Sequence, residues 1–142
     1  MRCCDTTAQA SAKGITYGPN AQGHFYDSLN NHRGLRKKSK WEITPKEECK
    51  VFCAADAGGW SDAQQRCWWS VSNQGTDILG MLGERLSKFP WTVNAQDPRH
   101  GYPVFADVKH PQDCPSEVFV EQWLKDGVVT KTTAKRVLAY SL

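Results

Sequence analysis

The sequence lacks any long hydrophobic run. Hydrophobic residues make up 39% of its 142 residues, and the mean hydropathy is −0.60. No window approaches the roughly 20 apolar residues that a membrane-spanning helix requires. The first residues, MRCCDTTAQASAKG, contain no apolar segment of the kind that a secretory signal peptide needs. We therefore predict no membrane association, and we interpret the chain as a domain excised from a larger carrier protein.

The sequence also lacks the usual zinc-binding spacings. It has neither a CxxC pair nor an HxxxH pair, although it contains six cysteines. Six cysteines allow fifteen pairings, so the sequence alone leaves the connectivity open. Cys49 and Cys53 are four residues apart, on one face of a predicted helix, and Cys67 lies on the next predicted helix. Disulfides among these three, or free thiols, are favoured over a zinc site. The six cysteines are Cys3, Cys4, Cys49, Cys53, Cys67 and Cys114.

Charge is weakly positive and unevenly distributed. The chain carries 18 Lys and Arg against 15 Asp and Glu. Five of the basic residues fall in the segment HRGLRKKSK, and a cluster of this density can contact a phosphate backbone. We predict that this basic segment binds nucleic acid, with a solvated surface loop as the alternative. Its basic residues are Arg33, Arg36, Lys37, Lys38 and Lys40.

Capping and turn residues divide the chain, which we predict to be a single domain over 1–142, into three parts. Residues 1–43 predict an irregular N-terminal segment. Residues 44–75 predict a helical hairpin: Thr44 and Glu47 form a capping box for the first helix, and Ser61 caps the second. Residues 76–142 predict a helix to Phe89, then two strands over 91–95 and 102–109, then two helices after Ser116. The order predicts an α+β or α/β domain.

The predicted second strand carries a notable pair of charged residues. Side chains alternate along a strand, so Asp107 and Lys109 share one face while the apolar residues between them face inward. Asp97 lies ten residues earlier, in the predicted turn. Two carboxylates can hold a hard divalent cation such as Mg²⁺ or Mn²⁺, and a nearby ammonium can orient the attacking water. We predict a metal-assisted hydrolytic site from this arrangement.

This pattern resembles the PD-(D/E)xK nuclease family. The resemblance covers roughly residues 76–125, although the proline follows Asp97 here and does not precede it. It implies a restriction-endonuclease-like small sheet and a metal-dependent nuclease, with DNA favoured over RNA. In the family's roles, Asp97 and Asp107 hold the metal and Lys109 assists catalysis. Glu84 matches an acidic position on the preceding helix, although the helical period predicts that it faces solvent, and His110 is a further candidate for phosphate or water contact.

The cysteines ahead of this unit carry a second resemblance. The segments CKVFC and RCWW, followed by a (D/E)xK unit, are similar to C-terminal toxin domains of bacterial polymorphic toxins, including type VI secretion effectors of the Rhs or PAAR-linked kind. The resemblance implies an antibacterial domain that a larger carrier protein delivers into a target cell. It also implies a cognate immunity protein. We expect the domain to act as a monomer.

Other interpretations remain open. The segment QQRCWWSVS resembles the nucleophile region of papain-like peptidases, and Cys67 with His100 or His110 would then form a cysteine peptidase or peptidoglycan amidase. A disulfide-stapled binding module without catalysis is a further alternative. Asp107 and Lys109 are also typical of the solvent face of an ordinary strand. Trp41 and Tyr102 are candidates for stacking on bases.

Overall fold

The computed structural model describes residues 8–32, 40–94 and 96–142, and they form an α+β fold. A three-stranded antiparallel sheet contains β1 (Ala8–Ser11), β2 (Gly14–Tyr17) and β3 (Tyr26–Leu29), in that order. A four-stranded antiparallel sheet contains β4 (Ser61–Asp62), β5 (Cys67–Ser70), β6 (Leu86–Pro90) and β7 (Tyr102–Val104), again in chain order. The helices are α1 (Pro45–Gly58), α2 (Glu117–Lys125) and α3 (Lys131–Leu138). Within the described ranges, no helix is long and apolar enough to cross a membrane.

Helix α1 begins where the sequence predicts. The Thr44 hydroxyl accepts a hydrogen bond from the Glu47 amide at 3.2 Å, and the Glu47 carboxylate accepts one from the Thr44 amide at 3.0 Å. This reciprocal pair is a capping box, and it satisfies two amides at the helix terminus. Gly59 ends the helix with a φ of 69°, a left-handed conformation that glycine adopts at low cost.

The four-stranded sheet separates two apolar clusters. On one face Phe52 of α1 stacks on Tyr26 at 5.3 Å and meets Phe89 edge-on at 5.4 Å. On the other face Trp69 and Leu86 pack among residues of α2 and α3. Successive residues of a strand point to opposite faces, so neighbouring side chains of β5 enter different clusters. The second cluster includes Cys67, Trp69, Leu86, Val104, Val120, Trp123, Ala134 and Val137.

The prediction of a second helix in 44–75 is wrong. Residues 61–70 form the antiparallel pair of β4 and β5, with Asp62 opposite Cys67. The Asp62 carboxylate accepts hydrogen bonds from the amides of Gln64 and Gln65, which closes the turn between these strands. The segment CWWS is aromatic and has a period of two, because Cys67 and Trp69 are buried on one face. Helical capping signals alone therefore misassigned the segment.

The predicted helix over 76–89 is also wrong. This stretch is a loop that leads into β6, and Glu84 holds the loop together. The Glu84 backbone carbonyl accepts from the Leu79 amide at 2.7 Å, and its carboxylate accepts from the Leu82 amide at 2.9 Å. Glu84 is only 3% exposed, whereas the sequence predicts that it faces solvent. Its carboxylate serves the local turn.

A hairpin is present near the predicted place but begins earlier. Strand β6 pairs with β7 so that Leu86 faces Val104 and Lys88 faces Tyr102. The predicted first strand, over 91–95, contains no strand residue in its described part. Residues 1–43 also contain β1, β2 and β3, so the described part of this segment is more regular than predicted. The two C-terminal helices are confirmed, with Ser116 and Thr130 as N-caps.

Candidate functional site

Asp107 and Lys109 do not lie on a strand face. Asp107 forms an isolated bridge with Ser141 near the C-terminus, and its carboxylate accepts a hydrogen bond from the Lys109 amide at 2.9 Å. This contact closes an exposed turn, in which Val108 is 68% exposed. His110 Nδ1 lies 3.9 Å from the other Asp107 oxygen. The predicted alternation therefore ends after the buried Ala106, and the strand geometry that places Asp107 and Lys109 together is absent.

The two carboxylates of the predicted metal site lie in separate turns. Asp97 precedes β7 along the chain, and Asp107 follows it. The Asp97 carbonyl accepts from Arg99, whose amide in turn donates to Phe25 beside β3. Glu84 is engaged in its own turn. Within residues 8–32, 40–94 and 96–142 no group of three or more His, Cys, Asp and Glu is placed to hold a metal ion. The Mg²⁺ or Mn²⁺ site at Asp97 and Asp107 therefore stays a prediction.

The predicted basic segment falls largely outside the described residues. Arg33, Arg36, Lys37 and Lys38 all lie there, so their role stays a prediction. Lys40 is described and is only 6% exposed. Its ammonium donates a hydrogen bond to the Asn31 carbonyl. Lys40 is therefore part of the folded interior, and the prediction that it contacts a nucleic-acid backbone is wrong.

The cysteines fall into two classes. Cys49 and Cys53 of α1 are disulfide-bonded. Their sulfurs are 3.9 Å apart, well beyond the roughly 2.05 Å of a disulfide, so they are not bonded to each other. Cys67 and Cys114 are free and buried. The predicted disulfide role of Cys67 is therefore wrong.

Cys67 also lacks the setting of a catalytic thiol. It lies on β5 with no exposed surface, and burial raises the pKa of its thiol to about 12. A nucleophilic cysteine needs the thiolate, which an electropositive and partly exposed site favours. The thiol of Cys67 is protonated at neutral pH. The geometry therefore does not support a cysteine peptidase at this position.

The two aromatic residues predicted to stack on bases instead contact other residues of the chain. Trp41 is 3% exposed, and its indole nitrogen donates to the Gly101 carbonyl at 3.1 Å. Tyr102 stacks on His32 at 5.3 Å between ring centres. Burial raises the pKa of Tyr102 to about 12, so its hydroxyl is neutral under ordinary conditions. Trp41 has a packing role.

The structure instead brings together a histidine and an aspartate. His24, in the loop between β2 and β3, places Nδ1 2.7 Å from Oδ2 of Asp56 near the end of α1. The same oxygen accepts from Asn20 Nδ2 at 2.8 Å. An ionised carboxylate only accepts, so the Nδ1 of a neutral His24 carries the proton and its Nε2 has a free lone pair. This is the tautomer that a general base requires.

The loop geometry fixes the histidine from both sides. The Asn20 side-chain oxygen accepts from the amides of Gln22 and His24, at 3.0 and 2.9 Å, and the Asn20 amide donates to the His24 carbonyl at 2.8 Å. Asn20 therefore holds both the backbone of the loop and the carboxylate that orients the ring. The Asp56 side chain is 5% exposed, whereas the His24 side chain is 27% exposed. The buried partner orients a group that substrate can reach.

An arginine and a tryptophan lie beside the dyad. The His24 ring meets the Trp68 indole edge-on at 6.2 Å. The Arg99 guanidinium lies over the same indole, 5.4 Å from its centre. The backbone of Arg99 is fixed by two hydrogen bonds. Its amide donates to the carbonyl of Phe25, just before β3, and its carbonyl accepts from the amide of Asp27 in β3. A fixed positive charge therefore lies near an oriented imidazole.

The sequence gives little sign of this site. His24 and Asp56 are 32 positions apart, in a turn-rich segment and near a helix end. Neither belongs to a spacing that marks a known catalytic motif. The only local signals are the turn-forming residues around Asn20 and the glycines that follow Asp56.

Comparison with models of protein families, with curated proteins and with solved structures gave no match.

Proposed function

We propose that the protein is a nuclease that cleaves RNA by acid–base catalysis at His24. The observation that carries this proposal is the 2.7 Å contact between His24 Nδ1 and Asp56, with the Arg99 guanidinium across the Trp68 indole. The proposal keeps the prediction that the protein is a nuclease. It differs in the catalytic residue, which is now His24, and in the substrate, which is now RNA and not DNA.

The side chains that contact the His24 ring favour RNA as the substrate. In the described part of the chain these are Asp56 and Trp68, and neither carries a hydroxyl or a thiol. Cys53, which accepts a weak hydrogen bond from Asn20, is disulfide-bonded. A base without a protein nucleophile acts on a hydroxyl of the substrate or on water. RNA carries such a hydroxyl next to each phosphate, whereas DNA does not. The substrate therefore supplies the nucleophile.

The reaction is an internal phosphoryl transfer. His24 Nε2 accepts the proton of the ribose 2′-hydroxyl, whose oxygen then attacks the adjacent phosphorus. The bond from phosphorus to the 5′-oxygen breaks, and that oxygen takes a proton from solvent. The products are a 2′,3′-cyclic phosphate and a 5′-hydroxyl. Asp56 stabilises the imidazolium that forms, and Arg99 offsets the charge that builds on the phosphate oxygens.

This reaction does not require a divalent cation, because the attacking oxygen belongs to the substrate. That differs from the metal-dependent hydrolysis expected for Asp97, Asp107 and Lys109. The role as an antibacterial toxin, with a carrier for delivery and a cognate immunity protein, is kept as part of the proposal. It is supported only by the resemblance in the sequence.

The test compares cleavage of single-stranded RNA by the parent protein and variants, with and without EDTA. We expect His24→Gln to lower kcat/KM by about 10²- to 10⁴-fold, because the general base is lost. Asp56→Asn should lower it by up to about 10²-fold, since the ring loses its orientation. Asp107→Ala and Lys109→Ala are matched controls from the alternative site. Both should cut as the parent does, in EDTA as in buffer.

Two outcomes would overturn the proposal. The first is a parent protein that leaves RNA intact while it cuts DNA in the presence of Mg²⁺ or Mn²⁺. The second is loss of cleavage in Asp107→Ala or Lys109→Ala with full cleavage in His24→Gln. Circular dichroism of each variant separates loss of chemistry from loss of fold. The 2′,3′-cyclic phosphate, detected by mass spectrometry, identifies the transfer reaction independently.

A further inference from the structure

A second arginine–tryptophan pair lies next to Trp68 and takes no part in the reaction above. The Arg66 guanidinium is 5.6 Å from the centre of the Trp91 indole, and Trp91 is 6.1 Å from Trp68. We propose that Arg66 and Trp91 form a subsite for a further nucleotide of single-stranded RNA, one position beyond the two that flank the cleaved bond. The subsite rests on the proposed function for its place in catalysis, but it can be tested without catalysis.

The four side chains form a continuous row. It runs from Arg99 to Trp68, then to Trp91 and to Arg66, with successive distances of 5.4, 6.1 and 5.6 Å. His24 contacts the same indole as Arg99. From Trp68, the indole that His24 contacts, the row therefore leads through the half-buried Trp91 to the exposed Arg66. A substrate longer than the reacting dinucleotide would follow this direction.

Backbone geometry fixes the position of Arg66. Its carbonyl accepts a hydrogen bond from the Trp91 amide at 2.8 Å, which extends the pairing of β5 and β6 beyond the strands. The φ of Arg66 is 54°, a left-handed conformation that is uncommon for a residue with a side chain. Such conformations occur at binding sites more often than elsewhere, because the surrounding structure must maintain them. Here the turn holds an exposed arginine against a half-buried tryptophan.

The chemistry of the pair suits a nucleotide. A guanidinium held over an indole keeps its N–H edge available, and that edge matches the oxygens of a phosphate. Its outer plane can also stack on an unpaired base. In a duplex the bases are already stacked on each other, so this second contact is lost. The subsite therefore favours single-stranded over double-stranded RNA.

Substrate length provides the first test. We expect the parent to cleave an octanucleotide with a higher kcat/KM than a dinucleotide. Arg66→Gln should remove most of that advantage, about 10-fold, and leave dinucleotide cleavage unchanged, because a hydrogen bond to a charged group is lost only for the longer substrate. The matched control is Arg136→Gln, on the opposite side of the four-stranded sheet in α3. It should behave as the parent does with both substrates.

Binding without cleavage provides the second test. In the His24→Gln background, tryptophan fluorescence can follow binding of a single-stranded octanucleotide and of an RNA duplex. Adding Arg66→Gln should weaken single-strand binding and reduce the slope of log K against log salt by about 0.7, the value for one phosphate contact. Adding Arg136→Gln should leave the slope unchanged.

The two tests distinguish failure of the subsite from failure of the proposed function. If Arg66→Gln matches Arg136→Gln in both cleavage and binding, the subsite is wrong while cleavage by His24 stands. If the parent cleaves no RNA but Arg66→Gln still weakens single-strand binding, the proposed function falls and the subsite stands. If the His24→Gln protein, with Arg66 unchanged, binds the single-stranded octanucleotide and the RNA duplex with equal affinity, the predicted preference for unpaired RNA is wrong.

Discussion

At the scale of single residues, burial decides which groups can do chemistry. Cys67 and His24 are both candidates by residue type, but they differ in exposure. The Cys67 side chain has no exposed surface and a raised thiol pKa. The His24 side chain is 27% exposed and is oriented by a buried carboxylate. The histidine is therefore available to substrate, and the thiol is not.

Chemical labelling tests the state of Cys67. Because burial raises its pKa to about 12, we expect negligible alkylation by iodoacetamide at pH 8 in the native protein and rapid alkylation in denaturant. Mass spectrometry of the peptide that contains Cys67 measures both. Cys67→Ala should retain RNA cleavage per folded molecule. Rapid labelling of the native protein, or loss of all activity in Cys67→Ala with an intact fold, would contradict this assignment.

At the scale of elements, helix α1 links the site to the rest of the fold. It packs on β3 and β5, and it carries Asp56 near its C-terminal end. The sequence predicts its start and end because the cap residues, Thr44 and Gly59, act locally. It does not predict β5 or β6, because the apolar residues of those segments also fit a helical period. Their sheet pairing depends on partners that are distant in sequence.

Removing the N-cap of α1 should destabilise the fold without changing the site. Thr44→Ala loses the hydroxyl that accepts from the Glu47 amide, and we expect the free energy of unfolding to fall by about 1 kcal/mol. Urea denaturation measures the change. Thr132→Ala, at an exposed position inside α3, is the control and should cause no loss, since alanine favours helix. An equal loss in both variants would show that the capping box contributes nothing.

At the scale of the whole molecule, the site depends on how the two sheets meet. The backbone of Arg99 pairs with β3, which fastens the loop before β7 to the three-stranded sheet. His100 follows directly and is half-buried, and its Nδ1 has no hydrogen-bond partner among the described residues. Burial lowers the pKa of His100, and the charge of Asp27 opposes this only in part. The junction therefore favours a neutral imidazole.

The neutral His100 should make the fold sensitive to acid. Its pKa is lower in the folded state than the ordinary 6.5, so the unfolded state binds more protons as the pH falls. The free energy of unfolding should be unaffected above about pH 6.5 and should decline below it. We expect His100→Gln to flatten this decline in urea titrations between pH 7 and pH 5. His110→Gln, whose ring is 60% exposed, is the control and should leave the profile unchanged.

A profile of His100→Gln that matches the parent would show that another group causes the acid sensitivity. A parent with equal stability across the whole range would contradict the predicted burial effect itself. Either result concerns the junction and leaves the chemistry at His24 untouched.

Local signals in the sequence determined the three helices, their caps and the α+β class, because each cap forms among residues that are neighbours in the chain. The helix and the strands expected for the nuclease core were not predicted correctly, since residues 76–85 form a loop and Asp107 and Lys109 lie in a turn after β7. The contact between His24 and Asp56 could be found only in the tertiary structure. His24 and Asp56 meet because Asn20 shapes one loop and α1 packs against the sheets, and no spacing along the chain records that contact.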